Sequence, residues 1–298
     1  MPSRSIQTAR PIDLAKTFGP LRRGTGDPTM RIASGEVVRA SRTPDGPASV
    51  RFVKAPGGIE VEAWGHGAAW ILEHAPAWLG VLDDDSGFEP PPGLVRDLWR
   101  RHRGLRIPRT GLVTERLIPV ILGQKVTGQE ARRTYRRLAA ALAEPAPGPS
   151  GLSLPPDPSR VPELPYQDFH PFGIERRRAE LLRAACARSG WFEAAAELPL
   201  EEARARLGAV GGIGPWTVAE VARTALGDTD AVSVGDFHVP NVVCWALAGE
   251  PRGSNERMLE LLEPYRPHRG RVQRLLEVAG IRAPAFGPRM EARTIDRI

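Results

Sequence analysis

The chain has 298 residues, 41% of them hydrophobic, so it is long enough for two domains and apolar enough to bury a core. Its 41 basic and 35 acidic residues give a net charge of +6, which favours a polyanionic partner. We expect no membrane span, no secretory signal and no four-cysteine metal site. These expectations rest on the lack of any run of about 18 apolar residues, on the polar opening segment MPSRSIQTARPIDL and on the two cysteines, Cys186 and Cys244.

The first part of the chain, to about residue 108, has the alternating pattern of β-strands. Apolar and polar side chains alternate in three stretches, which the turn sequences TPDG and PGG separate. This pattern predicts an antiparallel meander, followed by two helices at residues 68–79 and 94–102. The predicted strands cover residues 31–42, 49–54 and 59–64.

From about residue 109 the apolar positions recur at helical spacing. Residues 145–165 contain eight prolines and have no usable period, so we expect a loop there, inside the second domain. The two cysteines fall in helical apolar segments, where we expect them to be buried and reduced. The predicted helices cover residues 114–142, 175–189, 200–207, 215–226, 238–247, 255–262 and 271–279.

A glycine-rich turn joins two of these helices. The segment LGAVGGIGPWTVAE, residues 207–220, ends one helix, turns, and begins the next at Pro215, where the missing N–H of proline costs nothing. Gly212 and Gly214 permit positive φ and a close approach to the backbone, while Ile213 between them should point inward. The free N–H groups of such a hairpin suit a phosphate. The segment therefore predicts a helix-hairpin-helix motif, at about residues 200–226.

An aspartate stands in a turn soon after the hairpin. The segment VSVGDFHVPN, residues 232–241, places Asp236 directly before a predicted helix. Taken alone, an aspartate in this position is typical of a helix N-cap. A carboxylate there can also stabilise a positive charge that develops in a neighbouring pocket. The residue pattern leaves both roles open.

Together, the hairpin and the aspartate resemble the helix-hairpin-helix-GPD superfamily of DNA glycosylases, most of all the bacterial 3-methyladenine DNA glycosylase II family. Two further segments agree. Residues 117–131, LIPVILGQKVTGQEA, are similar to the family's ILxQQVSxxA segment, and residues 172–182, FGIERRRAELL, are similar to its GxxxxRAxxL helix. The resemblance covers about residues 30–290 and is most specific over 117–131 and 207–241.

The resemblance implies an α+β fold in two parts. An N-terminal antiparallel β-sheet domain with flanking helices is expected at residues 1–108. A two-lobed α-helical domain that contains the helix-hairpin-helix is expected at residues 109–298. The active site should lie in the cleft between the lobes, with DNA across the hairpin.

The resemblance also implies an activity. We expect a monofunctional DNA glycosylase of base excision repair, which flips a damaged base, expected to be an alkylated purine, out of the duplex and hydrolyses its N-glycosidic bond. Asp236 stands at the position of the family's catalytic aspartate. Trp216 stands where bifunctional relatives carry the lysine that forms a Schiff base, so no lyase activity is expected.

The remaining site residues follow from the same alignment of motifs. Trp216, Glu220 and His268 are expected to line the base pocket, although the family tends to have aromatic residues at the last two positions. Gln124 and Lys125 are expected to fill the gap that the flipped base leaves. The residues expected to contact DNA are Gln124, Lys125, Gly212, Ile213, Gly214 and Thr217.

Two other functions remain open from the sequence. The departures at Glu220 and His268 allow hypoxanthine, uracil or an oxidised base as the substrate. Alternatively, the chain is a non-catalytic DNA-binding or lesion-sensing protein, in which Asp236 only caps its helix. In each case we expect double-stranded DNA as partner, a monomer associated with the nucleoid in the cytoplasm, and no metal or cofactor except for a monovalent cation that hairpin carbonyls can hold.

Overall fold

A computed structural model describes residues 2–285 of the chain. Within these residues the protein has five β-strands and thirteen α-helices, which confirms the predicted α+β class. The part of the predicted 109–298 domain that follows residue 285 lies outside the described residues.

The five strands form one antiparallel sheet in the order β1-β5-β4-β3-β2. The predicted strand at residues 31–42 is in fact two strands, because Gly35 adopts a positive φ of 71° and turns the chain back on itself. The first strand was missed by the sequence analysis, since only Ile6 of its five side chains is buried. The strands are β1 (Ser3–Gln7), β2 (Met30–Ala33), β3 (Glu36–Thr43), β4 (Gly46–Ala55) and β5 (Gly58–Gly65).

One face of the sheet carries the first hydrophobic core. Ala48, Val50 and Phe52 alternate along β4 and are fully buried. The Phe52 ring lies 5.0 Å from the ring of Phe18 and 6.4 Å from that of Trp78, on the helix that covers the sheet. Each such large side chain contributes about 1.5–3 kcal/mol by leaving water, so the alternation fixes which face the helix covers.

The helices follow the predicted order, with ends that differ by a few residues. The predicted helix at 114–142 is interrupted, because the chain turns after Gly123 and Thr127 begins a new helix with a capping box to Glu130. The helices are α1 (Leu14–Phe18), α2 (Ala68–Trp78), α3 (Leu94–Arg101), α4 (Val113–Leu122), α5 (Gly128–Ala141), α6 (Tyr166–Phe169), α7 (Arg176–Cys186), α8 (Ser189–Glu193), α9 (Leu200–Gly208), α10 (Pro215–Val221), α11 (Val239–Ala248), α12 (Asn255–Leu262) and α13 (Arg269–Val278).

Helix α4 is the centre of the second core. Of its side chains only Glu115 is not buried, and α5, α7, α8 and α10 pack around it. A helix that is buried on nearly all sides is enclosed by other helices, and this position fixes the turn that follows α4 next to α10. The second core therefore supports the hairpin directly.

A third core joins distant parts of the chain. Val95 and Leu98 of α3 pack with Val243, Met258 and Leu275 of α11, α12 and α13. Residues 88–105 thus pack with the C-terminal helices and not with the sheet. The domain boundary expected at about residue 108 stays a prediction.

Both cysteines are free and buried, as expected. Burial raises the pKa of the Cys186 thiol to about 12, so this thiol is protonated at neutral pH. Across residues 2–285, no helix combines the length and the low polarity that crossing a bilayer requires.

Candidate active site

The predicted hairpin is present between α9 and α10. Gly212 has a φ of 93°, and Ile213 is buried in the second core with only 4% of its surface exposed. Gly214 precedes α10 in an extended conformation, and Pro215 occupies the first helical turn. The glycines of the turn are exposed, so the backbone of the hairpin faces solvent while Ile213 anchors it.

The turn between α4 and α5 lies against the hairpin. The amide Nε2 of Gln124 donates to the carbonyl of Gly212 and to Oγ1 of Thr217, both at 3.0 Å. Lys125 beside it is exposed and has a φ of 55°, and it is the one non-glycine residue with positive φ among the described residues. The Gln124 amide therefore joins the two segments, while Lys125 is left as the projecting side chain of this turn.

Asp236 lies in the loop before α11, and both of its carboxylate oxygens accept hydrogen bonds. Oδ1 accepts from the backbone N–H groups of His238 and Val239, at 2.7 and 3.0 Å. Oδ2 accepts from the indole Nε1 of Trp216 at 3.0 Å. The side chain is only partly buried. One oxygen thus caps α11, while the other is held towards α10 and the hairpin.

Trp216 is half-buried at the start of α10. A Cβ added to Gly123 would lie 3.5 Å from the indole ring, and one added to Gly235 would lie 4.0 Å from its Cβ. The ring therefore fits between the end of α4 and the loop that carries Asp236. In this arrangement its N–H orients the carboxylate, a role that the sequence analysis did not foresee.

Glu220 lies one helical turn after Trp216, inside a polar network. Its carboxylate accepts from Nη2 of Arg116 at 3.2 Å, from Oγ of Ser233 at 2.8 Å, and from Arg223. Because its oxygens are occupied by these three donors, the structure gives less support to Glu220 as a free pocket residue. Its place in the base pocket stays a prediction.

The network continues into α13 and holds the loop before Asp236. Gln273 accepts from the N–H of Ser233 at 3.0 Å, and its amide donates to Oγ of Ser233 at 2.9 Å. Asn255 accepts from the N–H of Gly235 at 2.8 Å. Side chains on α12 and α13 therefore fix the backbone on the N-terminal side of the aspartate.

Charged groups of the network shift each other's pKa. Burial alone would lower the pKa of Arg223, but the carboxylates of Glu220 and Glu277 raise it. Burial alone would raise the pKa of Glu277, but Arg223 and Arg274 lower it. These groups are therefore charged at neutral pH, and Arg223 and Arg274 are paired with the carboxylates of the network.

The structure does not bring His268 together with this group. Its ring is buried 5.1 Å from the ring of Phe88, and its Nδ1 accepts from Nε of Arg271 at 3.4 Å. None of its contacts in the described part of the chain involves Trp216 or Asp236. Burial and Arg271 lower the pKa of His268, so the ring is neutral at physiological pH. His268 is only 6% exposed and packs against Phe88 of the third core, and its place in the base pocket stays a prediction.

Sequence reasoning missed Arg116, Ser233 and Gln273. Arg116 did carry a signal, because it is a charged residue within the apolar helix sequence VTERLIPVIL. A buried arginine requires partners, and it has them in Glu220 and in the carbonyl of Pro20. Ser233 and Gln273 carry no such signal, since their contact depends on how α13 packs against the loop.

Among curated proteins the chain is similar to the probable bifunctional transcriptional activator/DNA repair enzyme AlkA of Mycobacterium tuberculosis, in two strains. The match is 31% identical over 138 residues, which is 45% of this chain. It covers 27% of AlkA, so the chain spans about a quarter of the length of the curated relatives it matches. No family model matches the chain.

Among solved structures, the 3-methyladenine DNA glycosylase from Archaeoglobus fulgidus is similar over 92% of this chain and 97% of its own, with a TM-score of 0.76 and 18% identity. The chain has the fold of the DNA glycosylases. The same glycosylase fold occurs in an 8-oxoguanine glycosylase/lyase of Clostridium acetobutylicum in complex with double-stranded DNA, with a TM-score of 0.68 and 14% identity over 93% of this chain and 96% of that one. The fold that the sequence motifs indicated is thereby confirmed.

Proposed function

We propose that this chain is a DNA base-excision glycosylase that uses Asp236. The observation that carries the proposal is the setting of this carboxylate. It is partly exposed, fixed at one oxygen by the start of α11 and at the other by Trp216, and it lies in a loop that α12 and α13 hold. A carboxylate that served only as a cap would not need the second orientation.

The chemistry follows from this setting. The base must leave the stack before C1′ of its sugar becomes accessible, at a cost of a few kcal/mol. As the C1′–N bond breaks, its electron pair leaves with the base and positive charge develops on the sugar. The Asp236 carboxylate stabilises that charge and accepts a proton from the water that attacks C1′. The products are a free base and an abasic site.

Two features support double-stranded DNA as the partner. The exposed backbone of the hairpin offers N–H groups for a phosphate, and Lys125 projects from the turn that Gln124 binds to the hairpin. Phe237, next to the aspartate, is 78% exposed, which is high for a large apolar side chain. Contact with a nucleic acid accounts for such exposure near a catalytic group.

The proposed reaction is hydrolysis without strand cleavage. Covalent catalysis at this position requires an amine, and Trp216 has none. The assignment therefore predicts no Schiff base with the abasic sugar.

Two classes of base remain as candidates. An alkylated purine carries positive charge and stacks well on Trp216, through a cation–π attraction of about 1–2 kcal/mol. However, the carboxylate of Glu220 is already paired with Arg116 and Arg223, so it is not free to pair with a cationic base. This network favours a neutral base, oxidised or deaminated, as the second candidate.

The test is a panel of duplexes, each with one lesion: 3-methyladenine, hypoxanthine, uracil or 8-oxoguanine. We expect chromatography to detect the free base from at least one of them, and borohydride to trap no enzyme–DNA adduct. Binding without release of any base would overturn the proposal in favour of a non-catalytic DNA-binding protein. A trapped adduct would contradict the monofunctional assignment alone.

A further inference from the structure

A cavity separate from the Asp236 group lies between the start of the chain and α3. Its volume is about 520 Å³, which is within the usual size of small-molecule sites. We call it the arginine cavity, after five of the residues that line it: Arg10, Arg96, Arg100, Arg103 and Arg106.

The charge of the arginine cavity is not balanced by its own carboxylates. Only Asp85 and Glu89 oppose the five guanidinium groups. Asp85 is already paired with Arg10 and Arg106. Arg100 and Arg103 are exposed and have no hydrogen-bond or ion-pair partner within residues 2–285. Two guanidinium groups are therefore free to bind an anion.

One wall of the cavity is aromatic. Trp99 is half-buried, and its ring lies 5.4 Å from that of Phe88 at an interplanar angle of 79°. Behind them, the guanidinium of the fully buried Arg271 lies 5.6 Å from the Trp99 ring and 5.8 Å from the Phe88 ring. This packing holds the wall in place, so that it offers a fixed apolar surface next to the free arginines.

We propose that the arginine cavity binds a phosphate-bearing nucleotide group, either a free nucleotide or the phosphorylated end of a nucleic acid strand. Arginine forks match the geometry of phosphate oxygens and form two parallel hydrogen bonds with them. The aromatic wall accepts the ring of a base. This site does not depend on Asp236, and it would exist even if the chain had no glycosylase activity.

The test is isothermal titration of the full chain with adenosine 5′-monophosphate, with adenosine, and with a short single-stranded oligonucleotide with or without a 5′-phosphate. We expect binding only where the phosphate is present. Tight binding of the monophosphate indicates a free nucleotide, whereas binding of the phosphorylated oligonucleotide alone indicates a strand end.

The variant that tests the residues is Arg100→Ala with Arg103→Ala, which should weaken binding by about tenfold or more, because two charge-assisted hydrogen-bond donors are lost. Arg101→Ala is the matched control. It changes an exposed arginine on the same helix that does not line the cavity, and binding should be unchanged. Both substitutions are on exposed side chains, and melting curves check that each variant folds. Absence of binding to every phosphate probe, or equal binding by the double variant, would overturn the proposal.

Base release from damaged duplex DNA by the double variant separates this site from the proposed glycosylase. We expect the rate to equal that of the wild type, because no lining residue of the cavity contacts Asp236 or Trp216. If the double variant loses both base release and nucleotide binding, the cavity belongs to the catalytic complex with DNA, and this result would contradict a separate site.

Discussion

Asp236 combines the two roles that its sequence context allowed. Oδ1 caps α11 and Oδ2 accepts the indole N–H of Trp216, so the side chain is fixed in one orientation. Capping by aspartate stabilises a helix by about 1 kcal/mol. The indole bond also orients the second oxygen, which it holds towards the hairpin that is expected to bind the DNA.

The first prediction concerns that indole bond. Trp216→Phe keeps an aromatic ring between α4 and the Asp236 loop but removes the indole N–H that binds Oδ2. We expect kcat for base release to fall by about tenfold or more, since a misplaced catalytic group loses orientation, with a smaller change in KM.

The control for this variant is Trp191→Phe, which changes a partly exposed tryptophan on α8 that contacts Phe192 edge-to-face. Its kcat should equal that of the wild type. If Trp216→Phe retains full kcat, the indole bond has no role in orienting the aspartate.

Much of the candidate site could be predicted at the residue scale where the signal was local. Asp236, Trp216 and Gln124 come together as their motifs indicated. The surroundings of Glu220 and His268 have no local signal, because they are set by Arg116 and by Phe88, which are far away in the sequence. A motif specifies its own residues and not the side chains that other elements bring to them.

At the scale of elements, the hairpin and the α4–α5 turn form one unit. Gln124 connects them through Gly212 and Thr217, and Ile213 anchors the unit in the second core. The glycines of the hairpin do not share one role. Only Gly212 has a positive φ, although the sequence permits this conformation at Gly214 as well.

The second prediction follows from this difference. Gly212→Ala places a Cβ 3.1 Å from the Leu181 side chain at a φ of 93°, so we expect the free energy of unfolding to fall by about 1–2 kcal/mol. Urea denaturation measures it. The affinity for duplex DNA should fall as well, because the exposed backbone of the hairpin is displaced.

Gly214→Ala is the matched control in the same turn. Its backbone is extended, and an added Cβ meets no atom within 4 Å. This variant should be as stable as the wild type, or slightly more stable because alanine restricts the unfolded chain. Equal losses in both variants would contradict the assignment of strain to Gly212.

Element boundaries were predictable where capping or alternation is strong. Thr127 and Glu130 form a capping box, which in retrospect marks the start of α5 inside the predicted helix 114–142. The tight turn at Gly35 was read as part of one strand, since the β-branched residues continue on both sides of it. The short strand β1 is stabilised by pairing with β5, which its own sequence does not reveal.

At the scale of the whole molecule, one ion pair joins segments 188 residues apart. Arg271 on α13 donates to both carboxylate oxygens of Asp83, and both side chains are fully buried. Asp83 also accepts from the N–H of Ile107 at 3.0 Å. The pair fixes the segment after α2 against the C-terminal helices, and therefore fixes how the third core meets the rest of the chain.

The third prediction tests that link. Arg271→Met preserves most of the side-chain volume but leaves the Asp83 carboxylate buried without its partner. We expect the free energy of unfolding to fall by about 3–5 kcal/mol, measured by urea denaturation at pH 7.

Adding Asp83→Asn to Arg271→Met should recover part of this loss, because the uncompensated charge is removed. Arg266→Met is the exposed control: it changes an arginine that pairs with Glu263 at the surface, and it should cost about 1 kcal/mol or less. If Arg271→Met lowers the free energy of unfolding by no more than Arg266→Met does, the buried pair is not important for stability and the prediction is wrong.

The fold class could be predicted from the sequence, because the alternation of the strands and the helical spacing of apolar residues are local features. The division of the chain into cores could not, because α3 lies early in the sequence yet packs with α13. Nothing in the apolar spacing of α3 indicates whether its partner is the sheet or a helix at the other end of the chain.

The most direct test of the whole account is single-turnover release of base from damaged duplex DNA by the wild type and by Asp236→Asn. Asparagine is as good an N-cap as aspartate, so its oxygen can still cap α11, while its NH2 replaces the oxygen that accepts the indole N–H. A melting curve checks that the variant is folded. The neutral amide cannot stabilise the positive charge that develops on the sugar, and it cannot accept a proton from the attacking water. We predict that the rate of base release falls by a factor of about 100 or more while duplex binding persists. An Asp236→Asn protein that releases base at the wild-type rate would contradict the central claim.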